Sequence, residues 1–474
     1  SAHMMQGQVA GLSILNGDGS PGSAARLEIR GVPSLTGALA PLIVVDNVPM
    51  PSDFDINELN PDDVQSIDIL KGASSAAIYG SRGAAGVIMI TMKAGQRNQK
   101  PIINYSYDYS ATRLVSDVNT LNADEYKMLF LEAITNSAKA DGFEDVNLYP
   151  MYQKVTAPGY FGEEDTPWMK HIMRNGSTQQ HRLSIRGGSQ DFGYYASFGY
   201  ANEEGMVKAT DFQRYTYTLG FDADINKWIK ANAKFSGTTS DRHVNGASLS
   251  TAAAARPDIP AYNEDGSILE VASADDQAYH NPLRNIDDAW NETRYYGVNF
   301  SSYAELDFGQ FWEPLKGVKW RTNLGAQYRN SRVGSYYGEG YTNPFKNPAM
   351  APNVANNEHS QKLSWTLENL LYINKTIKDI HSVNITLLQS AERYRTEGLN
   401  MRGYEITFPS SLWYNIGASN NAKYAPGSNF STWSRASYMA RVNYGLMDKY
   451  LLTVTGRFDG ASMLAAGNKW DFFP

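Results

Sequence analysis

From Ile102 onward the side chains of this sequence repeat with a period of two, and no other feature constrains the fold as strongly. Ile103, Tyr105, Tyr107 and Tyr109 alternate with Asn104, Ser106, Asp108 and Ser110. Tyr215, Tyr217, Leu219 and Phe221 alternate with Arg214, Thr216, Thr218 and Asp222. Val318, Trp320, Leu324, Ala326 and Tyr328 alternate with Lys319, Arg321, Asn323 and Gln327; Tyr438, Ala440, Val442 and Tyr444 alternate with Ser437, Arg441 and Asn443. Successive side chains of a strand point to opposite faces, so each segment has one charge-free face and one polar face. A soluble sandwich buries the charge-free face between two sheets. A membrane barrel turns it outward to lipid and lines a watery lumen with the other.

Connection lengths separate these readings. The pattern predicts about eleven strands, near 102–112, 180–187, 192–201, 213–223, 229–237, 295–308, 317–330, 362–374, 381–393, 435–445 and 450–459. Short connections at 188–191, 224–228, 309–316, 375–380 and 446–449 alternate with long ones at 113–179, 202–212, 238–294, 331–361 and 394–434. Membrane barrels have short turns on the periplasmic side and long loops outside, whereas a sandwich has no reason to alternate in this way. Strands of about ten residues match a tilted bilayer crossing. The expected fold is mainly β: a transmembrane antiparallel β-barrel, partial in this chain. No apolar run approaches the ~18 residues of a spanning helix, but aromatics make up 12% of the chain, with 30 tyrosines. Spanning strands are only half apolar, so a mean hydropathy of −0.43 fits them. With 42 Lys+Arg against 49 Asp+Glu the net charge is −7, the wrong sign for a nucleic-acid binder. The absence of cysteine excludes disulfides, thiol catalysis and Cys-ligated metals.

Residues 6–95 read differently, as a compact α+β module. Short strands are expected at 26–30, 42–45, 66–70 and 87–92, separated by Gly- and Pro-rich turns. Asn60-Pro61-Asp62-Asp63 is a helix-start signal, with a capping Asn, Pro at the first helical position and acids behind it. Residues 73–79 predict a short Ala/Ser-rich helix stopped by Gly80. Asp46-Asn47 supports the positive φ angles of a tight hairpin. Ser1-Ala2-His3-Met4 reads as the remnant of a cleaved expression tag, so residues 1–5 are set aside.

Several stretches of this module resemble a known family. Gly7-Gln8-Val9-Ala10-Gly11-Leu12, then Arg26 to Arg30 followed by Gly31, resemble the opening of the plug domain of TonB-dependent outer-membrane transporters. Val44-Val45-Asp46-Asn47-Val48-Pro49 resembles the plug hairpin, with Asn47 where the family usually has Gly. The most specific stretch is Asn60-Pro61-Asp62-Asp63-Val64-Gln65-Ser66-Ile67-Asp68-Ile69-Leu70-Lys71-Gly72-Ala73-Ser74-Ser75-Ala76-Ala77-Ile78-Tyr79-Gly80-Ser81-Arg82-Gly83-Ala84-Ala85-Gly86-Val87-Ile88. It is similar to the SusC/RagA-type branch, the glycan and peptide importers of Bacteroidetes. Arg457-Phe458-Asp459-Gly460-Ala461-Ser462, running on to Trp470 and Phe473, resembles that branch's mid-barrel signature.

The resemblance implies a plug at 6–95 and the N-terminal part of a barrel at 96–474, with long extracellular loops. It implies TonB-dependent import of an oligosaccharide or peptide across the bacterial outer membrane, with a SusD-like surface lipoprotein as lid, and no enzymatic activity or cofactor. Partners are TonB, through a segment missing from this chain, the SusD-like lipoprotein, outer-membrane lipid and the ligand. The TonB box, the N-terminal extension domain and the terminal aromatic strand of the family are missing. A plugged transporter has roughly 22 strands, about twice what is seen here, which leaves two unpaired edges. The expectation is a fragment, or strands supplied from elsewhere. Two alternatives stand beside this reading: a soluble β-rich glycan-binding or glycan-cleaving protein, and a siderophore- or cobalamin-type receptor.

Residue-level candidates are few. Gly72, Gly80, Gly83 and Gly86 are expected to allow tight turns or close approach. Arg82 either pairs with a wall carboxylate or is solvated. Gly80 to Gly86 lacks the Lys-Ser/Thr and βαβ context of a phosphate loop. Asp222-Ala223-Asp224-Ile225-Asn226 reads as a hairpin turn, not a calcium loop. The seven histidines form no zinc spacing. Glu163, Glu164 and Asp165 read as a solvated loop face, not hydrolase acids. Tyr105, Trp320 and Tyr450 are assigned to the lipid-facing girdle. Trp168, Tyr262, Trp290, Tyr336, Tyr337, Trp413 and Tyr414 are loop aromatics, most of them packing and some able to stack on ligand. No catalytic, cofactor or metal residue is assigned, and the substrate-binding residues are unknown.

Overall fold

The computed structural model describes residues 12–15, 19–23, 26–29, 40–70, 77–83, 85–115, 119–245, 248–269, 281–338, 353–378, 380–421, 426–447 and 449–473. The front of the chain forms a two-stranded antiparallel pair, β1 (Leu12–Leu15) and β2 (Arg26–Ile29). It also forms a four-stranded sheet from β3 (Leu42–Val45), β4 (Val48–Pro49), β5 (Val64–Leu70) and β6 (Val87–Met92), in the order β4-β3-β6-β5. The β3–β6 pair is parallel and the others antiparallel. Its core is Ile43, Val45, Met50, Phe54, Ile56, Leu59, Ile88, Ile90 and Met92. Burial of this cluster is what the short apolar strands contribute to the module's stability.

Asp46 and Asn47 take φ 48° and 68°, the two left-handed residues of a type I′ hairpin, which is why Asn tolerates the position. Asn60 caps as expected, accepting from the Asp62 N–H at 3.1 Å, but only a single 3-10 turn, Pro61–Asp63, follows. The strand residues from Val64 onward end it. Of the expected Ala-rich helix and Gly72, residues 71–76 lie outside the described residues. Ala77–Gly83 is 3-10 helix broken at Gly80, whose φ of 59° and ψ of −142° only glycine adopts without strain.

The rest of the chain is one antiparallel wall: β7 (Gln99–Thr112), β8 (Gly176–Gly188), β9 (Phe192–Glu204), β10 (Thr210–Asp224), β11 (Ile229–Val244), β12 (Ala289–Asp307), β13 (Val318–Tyr337), β14 (Val354–Ile377), β15 (His381–Ile406), β16 (Ser419–Asn421), β17 (Gly427–Leu446), β18 (Tyr450–Ala461) and β19 (Trp470–Phe473). Neighbours in sequence pair in space from β7 to β19, except that β16 pairs with the end of β15 and β17 lies beside β15. All the expected strands are present. The twelfth along the path, β19, was not expected as a strand.

The strands also run further than expected toward the long-loop end. β14 begins at Val354 and β15 continues to Ile406. There Asn356, Asn357, Glu358, Ser360 and Gln361 are polar on both faces, so no period marks the strand, yet the backbone ladder continues.

The face question is settled by burial. Tyr215, Leu219 and Phe221 are 40%, 43% and 44% exposed, whereas Thr216 and Thr218 between them are 5% and 3% exposed. Tyr105, Trp320 and Tyr450 are likewise exposed, and Asn323, Gln327, Arg329, Lys234 and Arg457 are buried. The apolar faces point away from the small sheet and the polar faces toward it. The soluble-sandwich alternative, which needs those apolar faces buried, is thereby excluded. No helix among the described residues is long and apolar enough to cross a membrane.

Candidate functional site: the interface between plug and wall

The module built on β3–β6 touches the wall almost entirely through polar groups. At the short-turn end Arg97 Nη2 donates to Asp224 Oδ1 at 2.9 Å. Asp224 is thus a strand-end ion-pair partner, and the turn beyond it is closed by Asn226, whose Oδ1 accepts from the N–H groups of Trp228 and Ile229. One level higher, Lys234 Nζ on β11 lies 2.8 Å from Asp46 Oδ2 and 3.2 Å from the Met92 carbonyl. Asp46 Oδ1 also accepts from the Met92 N–H at 3.0 Å, so one carboxylate ties the hairpin to β6 and to the wall.

Asp63, 1% exposed, accepts hydrogen bonds from Tyr195 (2.6 Å), Ser197 (2.7 Å) and Thr218 (2.7 Å). A buried carboxylate needs such donors. Asp62 pairs with Arg182 Nε at 3.1 Å, and Arg214 donates to the Asn57 carbonyl.

Arg82 takes the paired alternative. Its Nη1 meets Glu392 Oε2 at 2.5 Å and its Nη2 the Met50 carbonyl at 2.9 Å, with Arg435 3.0 Å from the other oxygen of Glu392. Arg457 donates to the Ile78 carbonyl and holds Asp459 at 2.7 Å beneath Gly80, where a Cβ would run into both side chains. This is the close approach that the glycine permits. Of the other expected glycines, Gly86 has φ 92° and Gly83 shows no positive φ.

Toward the long-loop end, Asp53 contacts Lys362 Nζ (2.5 Å), Arg329 Nη1 (3.2 Å) and Tyr394 OH (3.4 Å). Arg329 also lies over the Phe54 ring and 3.6 Å from Glu58 Oε2. The two acids around Arg329 titrate differently. Burial raises both. At Asp53 the Lys362 hydrogen bond and the charges of Arg329 and Lys362 outweigh it, leaving the carboxyl below its ordinary value. At Glu58 burial prevails over the Arg329 charge and the carboxyl is pushed up.

A depressed acid stabilises above its unfolded pKa and loses that contribution as pH falls through the folded one. A raised acid is strained while charged and relaxes on protonation. The protection factors of residues 50–60, with the intrinsic pH dependence of amide exchange divided out, are therefore expected to rise on acidification as Glu58 protonates and to fall at still lower pH as Asp53 does. Protection that only falls on acidification would contradict this assignment.

Close packing supplements the charges at one point. Val48 occupies the space over Gly325 of β13. Gly325→Leu is expected to weaken plug seating by about 1–3 kcal/mol through overpacking, read as a lower urea midpoint for plug release with the wall strands intact.

The loop aromatics divide as burial dictates. Trp168 packs with Ile172, Ala252, Ala261 and Leu283, its Nε1 donating to the Arg256 carbonyl at 2.8 Å. Trp290, Tyr336 and Tyr337, expected in loops, lie instead on β12 and β13, because the ladder runs on past the alternating residues. Trp413 is buried with Tyr336, Ala355 and Ile406 against the long-loop ends of β13, β14 and β15, and Tyr337 donates to Asn291 Oδ1 at 3.0 Å. Tyr262, Trp290 and Tyr414 remain exposed. Trp290 and Tyr336 border an open cleft of about 510 Å³ with Arg284, Asp288 and Leu412.

Glu163, Glu164 and Asp165 are exposed, and Asp165 accepts the Ala123 N–H at the start of the helix Ala123–Ala140. That helix went unanticipated, although its capping box, Asn122 with Glu125, is legible in the sequence. Also missed was the inward-facing Tyr394–Trp433 pair, stacked at 5.4 Å above the plug apex. It lies in what read as a long loop. No grouping of three or more metal-ligating side chains occurs among the described residues.

Comparison with known proteins agrees with this geometry. The TonB-dependent Receptor Plug Domain family matches residues 1–87. The chain is 27% identical to TonB-dependent receptor P26 of Formosa agariphila over 99% of its own length and 46% of the relative's. It is also 27% identical to TonB-dependent receptor SusC of Bacteroides thetaiotaomicron, again over 99% of this chain and 46% of that protein. The chain thus spans about half the length of these curated relatives. Among solved structures, the RagAB peptide importer in its closed-closed state superposes with a TM-score of 0.79 at 22% identity, covering 99% of this chain and 54% of the other.

Proposed function

With the plug and N-terminal barrel strands of a SusC/RagA-type TonB-dependent outer-membrane transporter in this chain, we propose that it works in TonB-dependent uptake of an oligosaccharide or peptide, with a SusD-like surface lipoprotein as its lid. The relatives are receptors and importers, not enzymes. The observation that carries the reading is the polarity of the plug–wall interface. The plug's apolar side chains pack mainly on one another, with Val48 on Gly325 and Phe54 under Arg329 as exceptions, while most of its contacts with the wall are carboxylates, guanidiniums, two ammoniums and hydroxyls. Such an interface separates into water without exposing a greasy surface, because water solvates each released partner.

Ligand enters from the long-loop side. TonB pulls on the plug from the other side, and the state that binds tightly gives way to one that releases. The test is uptake of labelled oligosaccharides and peptides by cells carrying the full-length protein with and without TonB. Uptake that persists without TonB or without the membrane proton gradient would rule the mechanism out. Calorimetry of the transporter–lid complex against glycan and peptide panels identifies the ligand class.

A further inference from the structure

Two neighbouring ion pairs on the plug differ in kind. Asp46–Lys234 is closed off, with side chains 16% and 7% exposed. Asp53–Lys362, at the long-loop end, is open to the lumen, with side chains 35% and 33% exposed. Behind it Arg329 is only 7% exposed yet incompletely used. Its Nε and Nη2 have no hydrogen-bond partner, and neither has the facing Glu58 Oε2, 3.6 Å away. Buried charged groups are seldom left in that condition. Arg329 is held part-way between two carboxylates, Asp53 at 3.2 Å and Glu58 at 3.6 Å, and satisfies neither fully.

We propose that Lys362 is an anion subsite at the floor of the lumen: a carboxylate or sulfate of the ligand takes Lys362 from Asp53, and Arg329 then closes on Glu58. The inference rests on the import reading and narrows its ligand to one bearing an anionic group, such as an acidic glycan or the carboxylate of a peptide. Lys362 is the accessible cation of the cluster, Arg329 being buried, and the open face of its ammonium is the one a lumenal ligand meets. Tyr394, stacked on Trp433, stands next to the same carboxylate and places an aromatic surface beside the anion. Once Asp53 is released, the Met50–Phe54 turn loses its tie to β14, while the Arg329–Glu58 contact shortens into a hydrogen-bonded pair. Occupancy is thereby read by the plug itself.

The probe is sodium glucuronate, with glucose and sodium chloride at matched concentration and ionic strength as controls, on the full-length protein in detergent. Deuterium uptake of residues 50–56 is expected to rise about threefold with glucuronate, the effect of losing one part-exposed ion pair. Uptake should be unchanged with glucose or chloride. In Lys362→Met the turn is already loose and glucuronate adds nothing. In Glu58→Gln, Arg329 has no second carboxylate to close on and stays with Asp53, so the glucuronate response is smaller; a response as large as that of the unsubstituted protein would overturn the Arg329 step. No glucuronate response, an equal response to glucose or chloride, or the same response in Lys362→Met overturns the subsite. A glucuronate response in protein that fails to import any ligand in cells leaves the subsite standing and removes the import reading instead.

Discussion

Lys234→Met is expected to cost plug seating about 3–5 kcal/mol, the penalty for stripping one partner from a buried ion pair. Asp46 sits in the hairpin turn with its side chain mostly buried, and Lys234 is its cationic partner. Without the ammonium, the carboxylate keeps only the Met92 N–H, and the Met92 carbonyl loses a donor as well. The double variant Asp46→Asn, Lys234→Met should recover most of the loss. Asn is as tolerant of the left-handed turn as Asp, and its amide oxygen still accepts from Met92. Urea titration followed by hydrogen exchange of β3 and β6 reads the effect. A double variant as unstable as the single one would show that the pair's worth lies in packing and not in the uncompensated charge.

Leu219→Arg is expected to destabilise the inserted protein by about 2–4 kcal/mol, since it puts a guanidinium on the outward face of a membrane strand. Leu219 lies between Tyr217 and Phe221 and is flanked across the sheet by Ala196 and Phe235, in the centre of the outward apolar band. Thr396→Arg, on the lumenal face of β15 opposite Lys362, places the same charge toward water and should change stability by no more than ~1 kcal/mol. Folding into lipid vesicles, followed by the heat-modifiable shift on gels and by tryptophan fluorescence, separates the two. Equal tolerance of arginine at both positions would mean that the apolar band does not face lipid.

Strand after strand, the wall was legible because half of every crossing must be apolar and half polar, so the tilt of side chains is written into adjacent residues. The plug hairpin was legible for a similar local reason, since Asp46 and Asn47 can both take positive φ. Legibility failed where polarity ceased to alternate. The upper parts of β14 and β15 and the start of β17 read as loop, and with them went Tyr394 and Trp433; Lys362 opened an expected strand, but nothing local marked its partner on the plug. Among the loop aromatics, nothing local distinguishes buried Trp413 from exposed Tyr414 beside it.

By itself the sequence determined the β class, the outward and inward faces, the direction of the long loops and the glycine and asparagine turns. Each of these is decided by neighbours a few residues apart. Only the tertiary structure decided that Asp46 meets Lys234, that Asp63 meets Tyr195, Ser197 and Thr218, and that Arg82 meets Glu392. Those partners are separated by well over a hundred residues, and a lone carboxylate or guanidinium reads the same in sequence whether it faces water or an opposite charge. The physical reason is that burial, not residue type, turns such a group from a solvated side chain into a tie between plug and wall.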